Sequence, residues 1–278
     1  MCLGCNDDDI EPATRRDFLA GALGWTAVSA FGAADAASVR DIDARGLTID
    51  NEGVLLPAYT AAPAGGDNLT TVVVLSDGPG IGRDLQELAR DVARTGFVTL
   101  VIDCAMRGTA KISTHPDALL SEAFTRLVQS DVRAGIATLN GNAPNANPVV
   151  IMGFGGGGYT ALRMALSDPV GVAGVIALYT PIEAPEKSKT DPRPDLITML
   201  ARLNVPVQFH AGTADASVSR EQLNWLGRFV AVEPDRRELY LYGGADYGFY
   251  QQSGPHYDKG YQMLARKRWQ DFLAKRFS

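Results

Sequence analysis

Residues 150–161 read Val-Ile-Met-Gly153-Phe154-Gly155-Gly156-Gly157-Gly158-Tyr159-Thr160-Ala161. An apolar run of strand type enters a tight glycine turn and leaves into a helix-forming stretch. This is the layout of a nucleophile elbow, where the middle residue of G-x-(nucleophile)-x-G is lifted into an active site by a sharp turn. The middle residue here is Gly155, which has no side chain to attack with. The glycines have two further readings. Gly153, Gly155 and Gly158 also fit G-x-G-x-x-G, the dinucleotide fingerprint in form, but the motif is not on the first strand, and the next strand ends at Tyr179-Thr180 without the acid a ribose needs. A purely structural reading is that glycine relieves the strain of positive φ at the apex, by roughly 1–2 kcal/mol.

Metal and nucleophile chemistry elsewhere finds little support in the spacing. The three histidines, His115, His210 and His256, are scattered and form no H-x-x-x-H or H-x-H pair, so no catalytic metal and no cofactor are expected. His256 reads as a surface residue, His210 as a strand-end residue turned into structure or toward a neighbouring loop, and His115 as a loop residue. Cys104 and Ser76 both follow strand-like runs and are the alternative nucleophiles; a small cysteine beside a strand end is commonly plain packing, and Ser76 suits a turn hydroxyl.

The elements that must position these residues alternate. Residues 47–60 suggest a hairpin. Strands are predicted at Thr71–Leu75, Phe97–Ile102, Pro148–Met152, Gly174–Tyr179, Pro206–His210 and Glu238–Tyr242. Helices are predicted at 82–95, 118–139, 158–167, 219–231 and 258–275, the first with Leu85, Leu88, Ala89 and Val92 on one face. Strands that are apolar throughout, each followed by a helix, indicate an α/β domain with a parallel sheet covered on both faces. Sites in such sheets lie at the carboxyl ends of the strands, which singles out Asp77, Cys104, Gly155, Asp215 and Tyr247. The polar, proline-rich segment Pro181–Pro194 reads as a surface excursion or lid loop.

The first 36 residues read as a separate segment. Arg15-Arg16 precede an apolar stretch, Phe18–Ala34, free of charge, and Ala34-Asp35-Ala36 fits an A-x-A cleavage site. This resembles a twin-arginine export signal, which implies passage through the export machinery to the periplasm or beyond. The stretch is short and weakly hydrophobic for a spanning helix, so no stable membrane anchor is expected. The whole chain has 26 basic and 32 acidic residues, a net charge of −6. Without residues 1–36 the count is 24 against 26, a net charge of −2 with no basic block, which argues against a nucleic-acid partner. Cys2 and Cys5 leave with that segment, so Cys104 alone remains, enough for neither an internal disulfide nor a thiolate zinc cluster. Residues 37–278 suit one α/β domain.

From about residue 45 onward the order of motifs resembles the dienelactone hydrolase family. Leu75-Ser76-Asp77-Gly78-Pro79-Gly80 fills the place of a strand and Glu-bearing loop, with Asp77 at the Glu position. Asp103-Cys104-Ala105-Met106-Arg107 matches a strand end with a nearby arginine. Gly153–Gly158 matches the G-x-C-x-G-G elbow, with Gly155 at the cysteine. Gly212-Thr213-Ala214-Asp215 matches the acid loop, and Tyr242–Phe249 matches the histidine stretch, with Tyr247 at the histidine. The resemblance implies a three-layer α/β-hydrolase fold with a mostly parallel central sheet.

Two of the family's three catalytic positions depart from the pattern. Attack needs a thiolate or alkoxide and a base to activate it, and a tyrosine with pKa near ~10 is a poor base. What the resemblance then implies is binding and polarisation. The Gly156 N–H and one from the Asp77–Gly78 loop form an oxyanion hole, Tyr247 donates a proton or hydrogen bond under orientation by Asp215, Asp77 acts as base, and Arg107 binds an anionic group. A glycine at 155 is expected to open the pocket floor to a larger ligand. The reading is a small carbonyl, ester or lactone compound handled by non-covalent acid–base chemistry, such as enolisation, isomerisation, elimination or cyclisation. The alternatives are an exported pseudoenzyme that binds a ligand, and a residual ester or lactone hydrolase in which Asp77 or Asp215 activates water.

Overall fold

The structure is a computed structural model that describes residues 41–66, 69–103, 122–141, 149–167, 171–182 and 196–278. The expected export segment, Cys104, Arg107, His115 and the body of the Pro181–Pro194 excursion lie outside the described residues.

The domain opens with an antiparallel hairpin, β1 (Ile42–Asn51) and β2 (Val54–Pro63). Glu52 and Gly53 turn it, both at positive φ (54° and 80°), the backbone of the two-residue turn whose twist matches the flanking strands. Strands and helices then alternate: β3 (Thr71–Leu75), α1 (Arg83–Arg94), β4 (Val98–Ile102), α2 (Glu122–Leu139), β5 (Val149–Phe154), α3 (Gly156–Ser167), β6 (Val172–Leu178), α4 (Leu196–Leu200), β7 (Val207–Gly212), α5 (Arg220–Val232), β8 (Arg237–Tyr242) and α6 (Lys259–Phe277). The sheet order is β1-β2-β4-β3-β5-β6-β7-β8. The first two pairings, β1 with β2 and β2 with β4, are antiparallel, and the rest are parallel.

Period-two alternation sends side chains to two separate cores. Val73, Leu75, Ile151, Val175 and Phe209 pack with Val128 and Val132 of α2, Leu162 of α3 and Phe229 of α5. Val72, Val74, Val150, Met152 and Ile176 pack with Leu88 and Val92 of α1 and Trp269 and Leu273 of α6. Burial on both faces is why β3 and β5 read as unbroken apolar runs rather than alternating ones. Helix α2 lies so close to the sheet that a Cβ on Gly135 would stand 2.8 Å from Leu100 Cδ2 and 2.9 Å from Ile49 Cδ1.

The expected three-layer arrangement and mostly parallel sheet are both present. Helix α3 starts at Gly156, two residues before the position propensity suggests, because tertiary packing holds a glycine run helical that isolated propensity would not. Helix α4 is an element the sequence reading did not foresee.

Candidate active site

The elbow is built by β5 running into α3. Gly155 sits at φ +49°, its N–H donates to Leu178 O on β6 (3.0 Å), and its carbonyl accepts from Gly158 (3.1 Å) and Tyr159 (3.2 Å). The helix head is pressed into the sheet. A Cβ on Gly157 would lie 2.8 Å from the Leu75 carbonyl carbon and 3.0 Å from Ser76 O; one on Gly153 would lie 2.5 Å from the Gly157 backbone. These contacts are with backbone atoms that cannot retreat, so glycine is required there by space. The turn leaves the first N–H groups of α3, led by Gly156, without intrahelical acceptors, as at any helix start.

The space above Gly155 is occupied. A Cβ there would collide with the Tyr247 hydroxyl and lie 2.7 Å from Asp77 Oδ2. Tyr247 O–H donates to Asp77 Oδ2 in a short hydrogen bond, and Gln251 Nε2 lies 3.5 Å from Asp77 Oδ1. The expected enlargement of the pocket floor is therefore absent at this spot: the room a side chain would take is filled from opposite loops, after β3 and after β8. Burial, the Asp77 charge and bond, and the more distant Asp215 charge raise the Tyr247 pKa far above the ordinary tyrosine value. The phenol is a neutral donor at any working pH.

Asp215 was expected to orient Tyr247, but the hydrogen bond of Tyr247 goes to Asp77. Asp215 is 3% exposed, and its Oδ1 accepts from Ser217 N (2.8 Å) and Ser217 Oγ (2.6 Å), while its Oδ2 is buried with no hydrogen-bond partner. Burial raises its pKa; the Ser217 bonds oppose the rise and the Asp246 charge adds to it.

Sequence reasoning missed Tyr179 as a site residue. It follows β6 in the left-handed region (φ +39°), with its N–H held by His210 O at 2.7 Å. Its ring meets that of Tyr247 edge-on at 5.0 Å, and its hydroxyl is buried without a hydrogen-bond partner. Burial first, then the Asp77, Tyr247, Tyr250 and Asp215 charges, hold its pKa well above the ordinary value. The signal that could have found it is the strand-end rule that selected the other residues.

The remaining candidates separate from this cluster. Ser76 Oγ donates to Gly78 O (2.9 Å), a turn contact. Gly78 and Asp77 border a cavity of about 290 Å³ that reaches Arg83, Gln251 and Ser253. His210 lies on the α6 side of the sheet, its Nε2 2.7 Å from Gln208 Oε1 and its Nδ1 2.7 Å from Tyr242 Oη. Because Gln208 Nε2 donates to Glu238 Oε2 (2.8 Å), its Oε1 must accept, so His210 carries its proton on Nε2 and Tyr242 donates to Nδ1. His256 is exposed and lies 3.3 Å from Asp246 Oδ2. Among the described residues no group of three or more His, Cys, Asp or Glu could hold a metal, and no helix is long and apolar enough to cross a membrane.

A Bradyrhizobium protein assigned by name as a 2-oxo-3-(5-oxofuran-2-ylidene)propanoate lactonase is 27% identical over 233 residues, 82% of this chain and 91% of that protein. A Methylorubrum extorquens protein named as a carboxymethylenebutenolidase is 24% identical over 242 residues, 83% of this chain and 82% of that protein. Among solved structures, a Klebsiella pneumoniae protein described as a dienelactone hydrolase superposes with a TM-score of 0.67 at 22% identity, covering 84% of this chain and 98% of that one. A dienelactone hydrolase-like promiscuous phosphotriesterase from metagenomic libraries gives 0.66 at 18% identity, covering 85% and 99%. These two share the fold. Residues 56–277 match the model of the dienelactone hydrolase family, and with most of its length inside that match the chain belongs to the dienelactone hydrolase family.

Proposed function

We propose that the protein acts on a small carbonyl compound of the lactone or ester class by non-covalent acid–base chemistry centred on Asp77 and Tyr247. The observation that carries this reading is the Tyr247 O–H to Asp77 hydrogen bond directly above Gly155. No side chain at 155 is available to form an acyl-enzyme, while a carboxylate and a neutral phenol already in contact make a proton relay.

The substrate carbonyl oxygen takes hydrogen bonds from the Gly156 N–H at the head of α3 and from the Gly78 N–H, which stabilise negative charge as it develops. With a lactone, a water oxygen attacks the carbonyl carbon and Asp77 accepts the water proton. The tetrahedral intermediate collapses with cleavage of the ring C–O bond. Tyr247 gives its proton to the departing oxygen and is reprotonated by Asp77, so the relay ends as it began. With an enolisable ketone the same pair moves a proton from carbon to oxygen without water. Arg107, outside the described residues, is assigned to an anionic substituent of the substrate. The names of the lactonase and butenolidase relatives support the lactone class.

The test is turnover of an alkylidene butenolide followed by ultraviolet absorbance, with intact-protein mass spectrometry during turnover. Ring opening with no acylated protein is expected, and Asp77→Asn and Tyr247→Phe should each lower kcat by about 10²–10⁴-fold. An acyl adduct on any residue, or full activity in both variants, overturns the reading.

A further inference from the structure

Arg163 lies on α3, seven residues after Gly156 and so about two helical turns from the elbow. Its side chain is 8% exposed, yet its polar contacts are poor. Nη1 donates to the Met199 thioether sulfur (3.4 Å), and Nη2 is 3.9 Å from Glu122 Oε2. The other Glu122 oxygen is committed to the exposed Arg126 at 2.6 Å. A guanidinium presents five N–H donors in a planar fork; a thioether is a weak acceptor, and 3.9 Å is too long for a hydrogen bond.

This guanidinium borders a cavity of about 420 Å³ between α2, α3 and α4, within the size range of small-molecule sites. Arg126 and Gln129 line it from α2, and Leu166 and Met199 give it an apolar wall. Among the described residues that line it, Arg163 and Arg126 stand against one carboxylate, Glu122. A buried cation without a close counter-charge is costly, and the geometry that satisfies arginine best is a carboxylate meeting the fork with both oxygens.

We propose that this cavity binds an organic carboxylate with a small apolar body, its carboxylate forked on Arg163 and its body against Leu166 and Met199. The site is separate from the elbow and does not depend on the reading of Asp77 and Tyr247. Occupancy ties α2 to α3, the helix whose first turn presents the Gly156 N–H.

The test uses the full chain with sodium benzoate as probe, at constant ionic strength, read by thermal unfolding and calorimetry. A saturable rise in Tm is expected, roughly 5–10 °C at a hundred times Kd. Arg163→Gln should abolish the response, and Arg163→Lys, which keeps the charge but not the fork, should weaken it. Should Arg163→Gln fail to fold, Gln129→Glu serves in its place: it puts a carboxylate into the same cavity and should raise the starting Tm while removing the benzoate response. The proposal is overturned if benzoate gives no saturable shift, if the shift persists in Arg163→Gln or Gln129→Glu, or if inorganic phosphate, which lacks the apolar body, matches benzoate.

Discussion

The packing above Gly155 makes a quantitative prediction about a pair of substitutions. Gly155→Ala forces an L residue to φ +49° and places a methyl against the Tyr247 hydroxyl and 2.7 Å from Asp77 Oδ2. The backbone part costs about 1–2 kcal/mol, and the overpacking part about 1–3 kcal/mol. Tyr247→Phe removes a hydrogen bond to a carboxylate, worth about 1.5–3 kcal/mol. The lower end applies, since Asp77 is only half-buried and water can take over its oxygen. In the double variant the phenyl ring stays but the oxygen that the new methyl would strike is gone. The share of the clash owed to that oxygen then disappears, while the approach to Asp77 Oδ2 and the φ cost remain. The double variant should therefore be more stable than the sum of the single losses predicts, by about 1–2 kcal/mol.

Urea unfolding of the four proteins measures this directly, provided the slopes m agree so that midpoints report stability alone. Additivity within about 0.5 kcal/mol would mean that the two positions do not compete for one space. In that case the Tyr247 hydroxyl stands elsewhere, and the relay in the proposed function loses its geometry.

Two further outcomes follow from buried titratable groups. Burial, with the Arg268 charge adding to it, lowers the His210 pKa to about 3, so the stability its neutral form confers is complete above pH 6.5 and is lost as pH falls toward 3, at about 1.4 kcal/mol per pH unit; His210→Gln should flatten the pH dependence of the urea midpoint by that slope, and an unchanged slope counts against it. The Asp215 pKa is raised, so its ionised form is a burden that grows as pH rises above the unfolded carboxylate value; Asp215→Asn should gain on the order of 1 kcal/mol at pH 7 and nothing near pH 3, and a loss at pH 7 would contradict the unpartnered state of Oδ2.

Much of the fold was legible because it depends on local pattern. The β-branched run Thr71–Leu75 and the apolar face of Leu85, Leu88 and Val92 appear where periodicity puts them, and continuous apolar strands specified a parallel sheet. The start of α3 was read too late because propensity penalises Gly156 and Gly157, whereas the packed backbone around them accepts nothing larger at 157. Strand ends located Asp77, Gly155, Asp215 and Tyr247. Which of them touch was not legible: Asp77 and Tyr247 are 170 residues apart, on loops after strands that three others separate in the sheet. The strand-end rule reaches Tyr179 as well; what the sequence did not show is its positive φ, which tertiary contacts set.

Glycine at 155 and tyrosine at 247 are best understood as one steric unit. The elbow backbone is held by bonds that do not involve a side chain at 155: its N–H to Leu178 O, and its carbonyl to the N–H groups of Gly158 and Tyr159. The head of α3 thus keeps its aim whatever residue stands at the apex, so the donors it presents need no nucleophile to position them. The Tyr247 hydroxyl, by contrast, can occupy its place only because the apex is bare. Any atom brought directly above Gly155, from a ligand or a substitution, must displace that hydroxyl and with it the bond to Asp77. The proposed relay therefore requires the substrate to sit beside this spot and not over it, so that the Tyr247–Asp77 bond that returns the proton stays intact.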